Sequence, residues 1–234
     1  RAVAVGKALV VVPRLGVRVN PDFDPRGSGM KMGGGAKPFG IDIEIVPEVL
    51  DLIFRSGAEW RGFHIFAGSQ ALDAAAVIEA QADPLALAAR LAEAAGRPLP
   101  ACNLGGGFGI PYFPGDQELD VEAVGDGLAL TFANLPGALC ETEFCIELGR
   151  WLVGPAGVYL TRIVDRKESH GEVFLVTDGG LHHQLAASGN FGTVVRRNYP
   201  VAIATKFDAP IEEEASVVGC RRRTMIVTTR RCSS

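Results

Sequence analysis

The chain has 234 residues, 47% of them hydrophobic, and a formal net charge of −4. That length allows one large domain or two small ones with a sizeable core, and so weak a charge gives no footing for a nucleic-acid or polyanion partner. No apolar run is long enough to span a bilayer and no secretory leader is visible. The five cysteines (Cys102, Cys140, Cys145, Cys220 and Cys232) show neither metal-ligand nor paired spacing, so they read as reduced thiols of a cytoplasmic protein.

In chain order, Ala8–Val12 is a short apolar run of undetermined state. Leu15–Val19 alternates, is rich in β-formers and stops at Asn20-Pro21, which predicts a strand running into a loop. Residues 22–40, with six glycines and two lysines, predict a long loop, either functional or merely connecting. Behind Pro47, the residues Val46, Val49, Leu50, Ile53 and Phe54 recur at helical spacing, and Gly57 is placed to close the helix. Gly62–Phe66 predicts a strand that ends at Ala67-Gly68-Ser69-Gln70. Residues 72–82 predict a helix, and Asp83 and Pro84 are expected to start another that Gly96 ends. Leu99–Leu104 predicts a buried strand, Asp120 caps a helix carrying Val121, Val124, Leu128 and Phe132 on one face, and Glu143–Glu147 predicts a fourth strand before Leu148-Gly149-Arg150.

The strand ends near Val19, Phe66, Leu104 and Glu147 are 47, 38 and 43 residues apart, with a helix pattern between each pair. Such repeats mean a parallel sheet with right-handed crossovers: half of a (β/α)8 barrel, or a smaller open sheet. Either gathers ligands at the carboxyl ends of its strands. Beyond Arg150 the pattern changes to short β-rich runs, Val158–Val164, Val173–Thr177, Thr193–Arg197 and Val201–Ala204, which predict an antiparallel β domain over residues 151–219. Residues 220–234 carry five arginines in fifteen positions and little apolar pattern. They are read as a solvated basic tail or as a divergent terminus from an altered reading frame, the abrupt change after Gly219 favouring the second.

Candidate chemistry sits at the strand ends. Asn103-Leu104-Gly105-Gly106-Gly107-Phe108-Gly109 has four glycines in five positions, so its backbone can approach an anion closely or simply turn tightly. Ser69 offers a hydroxyl to a phosphate or to the next helix, and Arg150 offers a forked cation to a phosphate or to solvent. Glu147 is expected to end a buried strand, where a carboxylate needs a partner; Arg150 or a protonated ring nitrogen would serve. Taken together on successive strand ends, these residues point to a phosphate-bearing heteroaromatic cofactor.

Val17-Arg18-Val19-Asn20-Pro21, Phe63-His64-Ile65-Phe66-Ala67-Gly68-Ser69-Gln70, Leu104-Gly105-Gly106-Gly107-Phe108-Gly109 and Glu147-Leu148-Gly149-Arg150, with Asp178-Gly179-Gly180 further on, resemble the pyridoxal-phosphate-dependent decarboxylases of the alanine-racemase-like fold. The resemblance, over roughly residues 15–219, is to the diaminopimelate and ornithine decarboxylases and in particular to the type associated with exosortase and exopolysaccharide loci. It implies a partial (β/α)8 TIM-type barrel followed by an antiparallel β domain, with pyridoxal 5'-phosphate as cofactor, an amino acid as substrate and a homodimer in the full-length form. It assigns Ser69, Gly105, Gly106, Gly107 and Arg150 to the cofactor phosphate, Gly149 to the cofactor site beside them, Glu147 to the pyridinium nitrogen and Phe66, in place of a usual histidine, to the ring face. The family's Schiff-base lysine lies upstream of the segment matching Val17–Pro21, and Lys7, Lys31, Lys37, Lys167 and Lys206 do not match it, so no catalytic residue is assigned and the chain is expected to be incomplete at both ends. Cys220 lacks the motif around the family's late cysteine, and Leu148 replaces a usual proline. The expected function is amino-acid decarboxylation by the complete protein, this piece being inactive alone; a non-catalytic remnant and a racemase-type cofactor-binding protein are the alternatives.

Overall fold

The computed structural model describes residues 1–23, 30–31, 38–66, 68–113, 115–180, 182–183, 200–208, 210, 213–219 and 227–228. They belong to two compact units, Arg1–Ile110 with Gln117–Pro155, and Pro111–Asp116 with Ala156–Ser234. The first unit contains α1 (Ala2–Leu9), β1 (Arg14–Asn20), β2 (Met30–Lys31), β3 (Ile41–Asp42), α2 (Val46–Ser56), β4 (Glu59–Ile65), β5 (Gly68–Ser69), α3 (Ala74–Ala95), β6 (Ala101–Asn103), α4 (Val121–Ala133), β7 (Glu143–Cys145) and α5 (Arg150–Val153).

Five of these strands form one sheet in the order β3-β1-β4-β6-β7, every pair parallel. After β1, each main strand lies beside its predecessor, with α2, α3 and α4 as the successive crossovers. Apart from the two-residue β3, which lies on the far side of β1, the order runs one way. That is the singly wound wall of a barrel, not the doubly wound open sheet. β2 and β5 pair separately and antiparallel.

One face of the sheet is covered by helices. Val17 and Val19 of β1, Phe63 and Ile65 of β4 and Cys102 of β6 pack with Leu50 and Ile53 of α2 and with Leu85, Ala88, Leu91 and Ala92 of α3 in a single buried cluster. Strand alternation then sends Arg18, His64 and Asn103 to the opposite face. Helix ends follow the local chemistry that the sequence offers. Gly57 closes α2 at a φ of 75°, a left-handed conformation that a Cβ disfavours. Asp120 accepts the Ala123 N–H at 2.9 Å to start α4.

Residues 72–95 depart from the two helices expected. α3 is one helix of 22 residues, capped by the Asp73 carboxylate on the Ala76 N–H, with Pro84 inside it. Pro84 leaves the Ala80 carbonyl without its helical donor, yet burial of Val77, Pro84, Leu85, Ala88 and Leu91 along one face holds the two halves together. The strands are also shorter than expected: of Leu99–Leu104 only β6 pairs, and β7 stops at Cys145.

The second unit contains β8 (Ile163–Ser169), β9 (Glu172–Thr177), β10 (Ala215–Gly219) and β11 (Val227–Thr228), in the order β11-β10-β9-β8. β8 and β9 form an antiparallel hairpin, and β10 and β11 are antiparallel. β9 and β10, separated by a connection long enough for a crossover, are parallel, so the sheet is mixed rather than wholly antiparallel. The Val158–Val164 run becomes a strand only from Ile163. The Asp178 carboxylate takes the Arg162 N–H at 2.9 Å, a group that a ladder would use, and the Thr161 hydroxyl at 2.8 Å. Val201–Ala204 forms no strand and leads into a short helical turn, because β propensity without a pairing partner does not make a ladder. Thr193–Arg197 lies outside the described residues, as does the 220–234 stretch apart from β11. Among the described residues no helix is long and apolar enough to cross a membrane, and no cluster of His, Cys, Asp and Glu could hold a metal ion.

A single α3 makes a clear prediction. Asp73→Ala removes its only N-terminal cap and lowers stability by about 1 kcal/mol, whereas Asp83→Ala, inside the helix, changes it by less than about 0.5 kcal/mol. Thermal unfolding followed by circular dichroism distinguishes the two.

Candidate functional site

In a parallel sheet all carboxyl ends lie on one side, so the residues that follow β1, β4, β6 and β7 converge there. The register aligns Arg18 with His64, His64 with Asn103 and Asn103 with Cys145. These residues form a row across the face opposite the helices, and Glu147 follows Cys145 at the strand end.

Asn103 joins the parts. Its Oδ1 accepts the Gly105 N–H at 2.8 Å, and its Nδ2 donates to Glu147 Oε1 at 2.8 Å. The Glu147 N–H in turn donates to the Gly105 carbonyl at 2.7 Å. The glycines are needed where they stand. A Cβ on Gly106 would land on the Glu147 carbonyl oxygen, and one on Gly105 would land in the Phe66 ring. Gly105 has a φ of 73° and Gly107 a φ of 112°, both in the region that side chains disfavour. The loop is also sewn to the segment after β4: Ala71 N–H donates to the Gly107 carbonyl at 2.9 Å, and Gly109 N–H to the Ala71 carbonyl at 2.8 Å. The Gly106 and Gly107 N–H groups donate to no backbone carbonyl among the described residues.

Arg150 is oriented by Gln70. Its Nη1 donates to Gln70 Oε1 at 2.7 Å, while Gln70 Nε2 donates to the Ile110 carbonyl at 2.8 Å. Gln70 holds a left-handed φ of 61°, which turns its side chain between the two. Gly149 stands immediately before α5 as its N-terminal flanking residue, and Arg150 begins the helix.

Glu147 differs from its sequence-based expectation. Its side chain is 61% exposed rather than buried, because β7 ends two residues earlier, and its neighbours are Asn103 and, at 3.7 Å, His64 Nε2. Burial holds the His64 imidazole below its ordinary titration range; the Glu147 carboxylate opposes that shift and the Arg18 guanidinium adds to it. Burial pushes the Cys102 thiol up to about 12, so this cysteine is packing and not a nucleophile. The Cys145 thiol is raised too, by desolvation and then by Glu147 and Glu143.

Phe66, Gly105, Gly106, Gly107, Glu147, Gly149 and Arg150 therefore lie on the carboxyl side of the same sheet, and the Ser69 backbone pairs with Met30 in the β2–β5 ladder beside it. Sequence reasoning missed Arg18, His64, Asn103 and Gln70. The alternation of β1 and β4 was the available signal for the first two, and an Asn two residues before a glycine cluster was the signal for the third. The set can do specific chemistry: backbone amides and a guanidinium to hold a phosphate, a carboxylate steadied by an amide to hold a protonated ring nitrogen, and an aromatic ring beside them. The Gly106 and Gly107 amides, which no backbone carbonyl among the described residues takes up, fit a phosphate.

Residues 5–154 match the family described as pyridoxal-dependent decarboxylase, pyridoxal binding domain. The chain is 36% identical over 191 residues to the L-glutamyl-(BtrI acyl-carrier protein) decarboxylase of Niallia circulans, covering 80% of this chain and 44% of that one. It is 32% identical over 157 residues to the diaminopimelate decarboxylase of Thermoplasma acidophilum, covering 65% and 37%. Among solved structures, it is similar to diaminopimelate decarboxylase from Helicobacter pylori complexed with L-lysine, with a TM-score of 0.69 at 21% identity over 98% of this chain and 54% of that one. The lysine/ornithine decarboxylase of Vibrio vulnificus complexed with cadaverine matches with a TM-score of 0.59 at 19% identity, over 99% and 57%. The chain thus spans about half the length of the relatives it matches.

The buried imidazole has a pH signature. Unfolded His64 takes up a proton near 6.5, whereas folded His64 does so only at a lower pH. Its contribution to stability is therefore complete above 6.5 and falls as pH drops from 6.5 through the lowered value. Urea midpoints measured on either side of that window should fall on acidification, and His64→Gln should flatten the fall. Asn103→Leu should leave the fold intact while freeing the Gly105 amide and Glu147, read as faster hydrogen exchange at Gly105.

Proposed function

Because the chain belongs to the pyridoxal-dependent decarboxylase family, we propose that residues 1–150 are the C-terminal half of a pyridoxal-phosphate-binding (β/α)8 barrel, that residues 151–219 are its β domain, and that the complete protein decarboxylates an amino acid. The observation that carries this reading is the Asn103 amide, which fixes the glycine loop and Glu147 to each other at the mouth of the sheet.

The Gly106 and Gly107 amides, Ser69 and Arg150 hold the cofactor phosphate, and Gly149 lets the chain turn into α5 beside it. Gln70 aims the guanidinium, which loses less freedom on binding because it is already held. Phe66 covers the ring face as an apolar surface without a hydrogen bond to give. Glu147 keeps a proton on the ring nitrogen, and Asn103 leaves only one of its oxygens to do so. Bound in this way, the cofactor supplies an electron sink for the pair released when an α-carboxylate leaves as CO₂. His64, neutral near pH 7, adds no second cation against the ring. The substrate class is an amino acid with a free α-carboxylate, in keeping with the diaminopimelate and L-glutamyl carrier-protein decarboxylases it resembles. The full-length form works as a homodimer in the cytoplasm.

Titration of the purified chain with pyridoxal 5'-phosphate, followed by absorbance and by quenching of intrinsic fluorescence, tests the site. Saturable binding is expected, weakened at least about tenfold by Gly106→Ala and by Arg150→Ala, a loss of about 1.4 kcal/mol or more. Equal affinity in all three proteins would overturn the assignment of the phosphate.

A further inference from the structure

Behind the glycine loop lies a small cavity that the roles above leave unexplained. It holds about 20 Å³ and is lined by Gly106, Gly107, Phe66 and Gly68 together with Ala80 and Gln81 of α3. One water needs about 10–15 Å³ of such space, so the cavity suits a single molecule.

Gln81 is the unusual residue. It is only 4% exposed, and neither its Nε2 nor its Oε1 has a hydrogen-bond partner among the described residues. A buried carboxamide with both ends unpaired is rare, since leaving it so forfeits its hydration. Elsewhere the buried face of α3 is apolar: Val77, Leu85, Ala88, Leu91. An apolar side chain of the same length would suit that face equally well. A second group beside it has lost its helical donor. Pro84 has no N–H, so the Ala80 carbonyl loses its partner in the helix, and Ala80 lines the same cavity. A carboxamide, a carbonyl and the backbone of a glycine turn are the two to four polar partners that an internal water requires.

We propose that Gln81 holds one internal water against the inner side of the Gly106–Gly107 turn and is thereby a positioning residue for the amides that receive the phosphate. The water ties α3 to the loop at the point where glycine removes all side-chain support. The proposal rests on the assignment of the cofactor phosphate to Gly106 and Gly107, and deepens it: the loop is set for its ligand from below as well as by Asn103 from the side.

Gln81→Met keeps the length of the side chain and removes both polar atoms. In this variant, folded by circular dichroism, the amide protons that fix the loop, those of Ala71, Gly109 and Glu147, should exchange several-fold faster than in the parent chain, and affinity for pyridoxal 5'-phosphate should fall about tenfold. Leu85→Met, a conservative change further along the same helix, should alter neither, which separates loop positioning from general packing. Unchanged loop exchange with equal or higher thermal stability in Gln81→Met would overturn the proposal, because the carboxamide would then be simply an unpaired burial. Failure of the parent chain to bind the cofactor would remove the phosphate assignment, while the exchange comparison would still decide whether Gln81 supports the loop.

Discussion

Two hydrogen bonds from one carboxamide constrain the carboxyl end of the sheet. Asn103 closes a tight turn onto the Gly105 N–H with its oxygen and reaches Glu147 on the neighbouring strand end with its nitrogen. The oxygen accepts and the nitrogen donates, so the orientation of the amide is fixed by its partners. The Gly105 carbonyl returns a bond from the Glu147 N–H, and the close backbone approach then leaves no room for a Cβ at Gly106. A loop without side chains and a largely exposed carboxylate, each free to wander if left alone, become parts of one rigid edge.

The electrostatics of that edge depend on the same alignment. Arg18, His64 and Asn103 occupy adjacent register positions, so a cation, an imidazole and an amide succeed one another across the face. Burial and Arg18 both favour the neutral imidazole, against the attraction of Glu147. The Glu147 carboxylate is then held by an uncharged donor, the Asn103 amide. Such a carboxylate keeps more of its negative potential for a ligand than one neutralised by an ion pair.

Much of this was legible in the sequence. The glycine cluster, Glu147 and Arg150 stand out because each belongs to a short local pattern, and the spacing of strand and helix signals forecast a parallel sheet, either half of a barrel or a smaller open one. What was not legible depended on partners far along the chain. Asn103 meets Glu147 across 44 residues, and Gln70 meets Arg150 across 80. No local pattern announces such pairings; they come from which strands are neighbours. Asp83-Pro84 looked like a helix start because a capping residue followed by proline is one wherever a helix begins, yet tertiary burial on both sides of it made α3 continuous. The exposure of Glu147 was misjudged for a similar reason: alternation continues past Cys145 in the sequence, but the regular ladder ends there, with only the Glu147 N–H, among the described residues, reaching across to the Gly105 carbonyl.

Those long separations also govern when the site comes into being as the chain folds. Helices such as α2 and α4 can form from near neighbours, whereas the hydrogen bonds of Asn103 and Gln70 close loops of 44 and 80 residues and have to wait for the strands to dock. The ligand-binding groups therefore exist only in the assembled sheet and not in its separate pieces. A molecule that bound them would draw the whole equilibrium toward the native state by mass action, so that the chain's own ligand would double as its most effective folding aid.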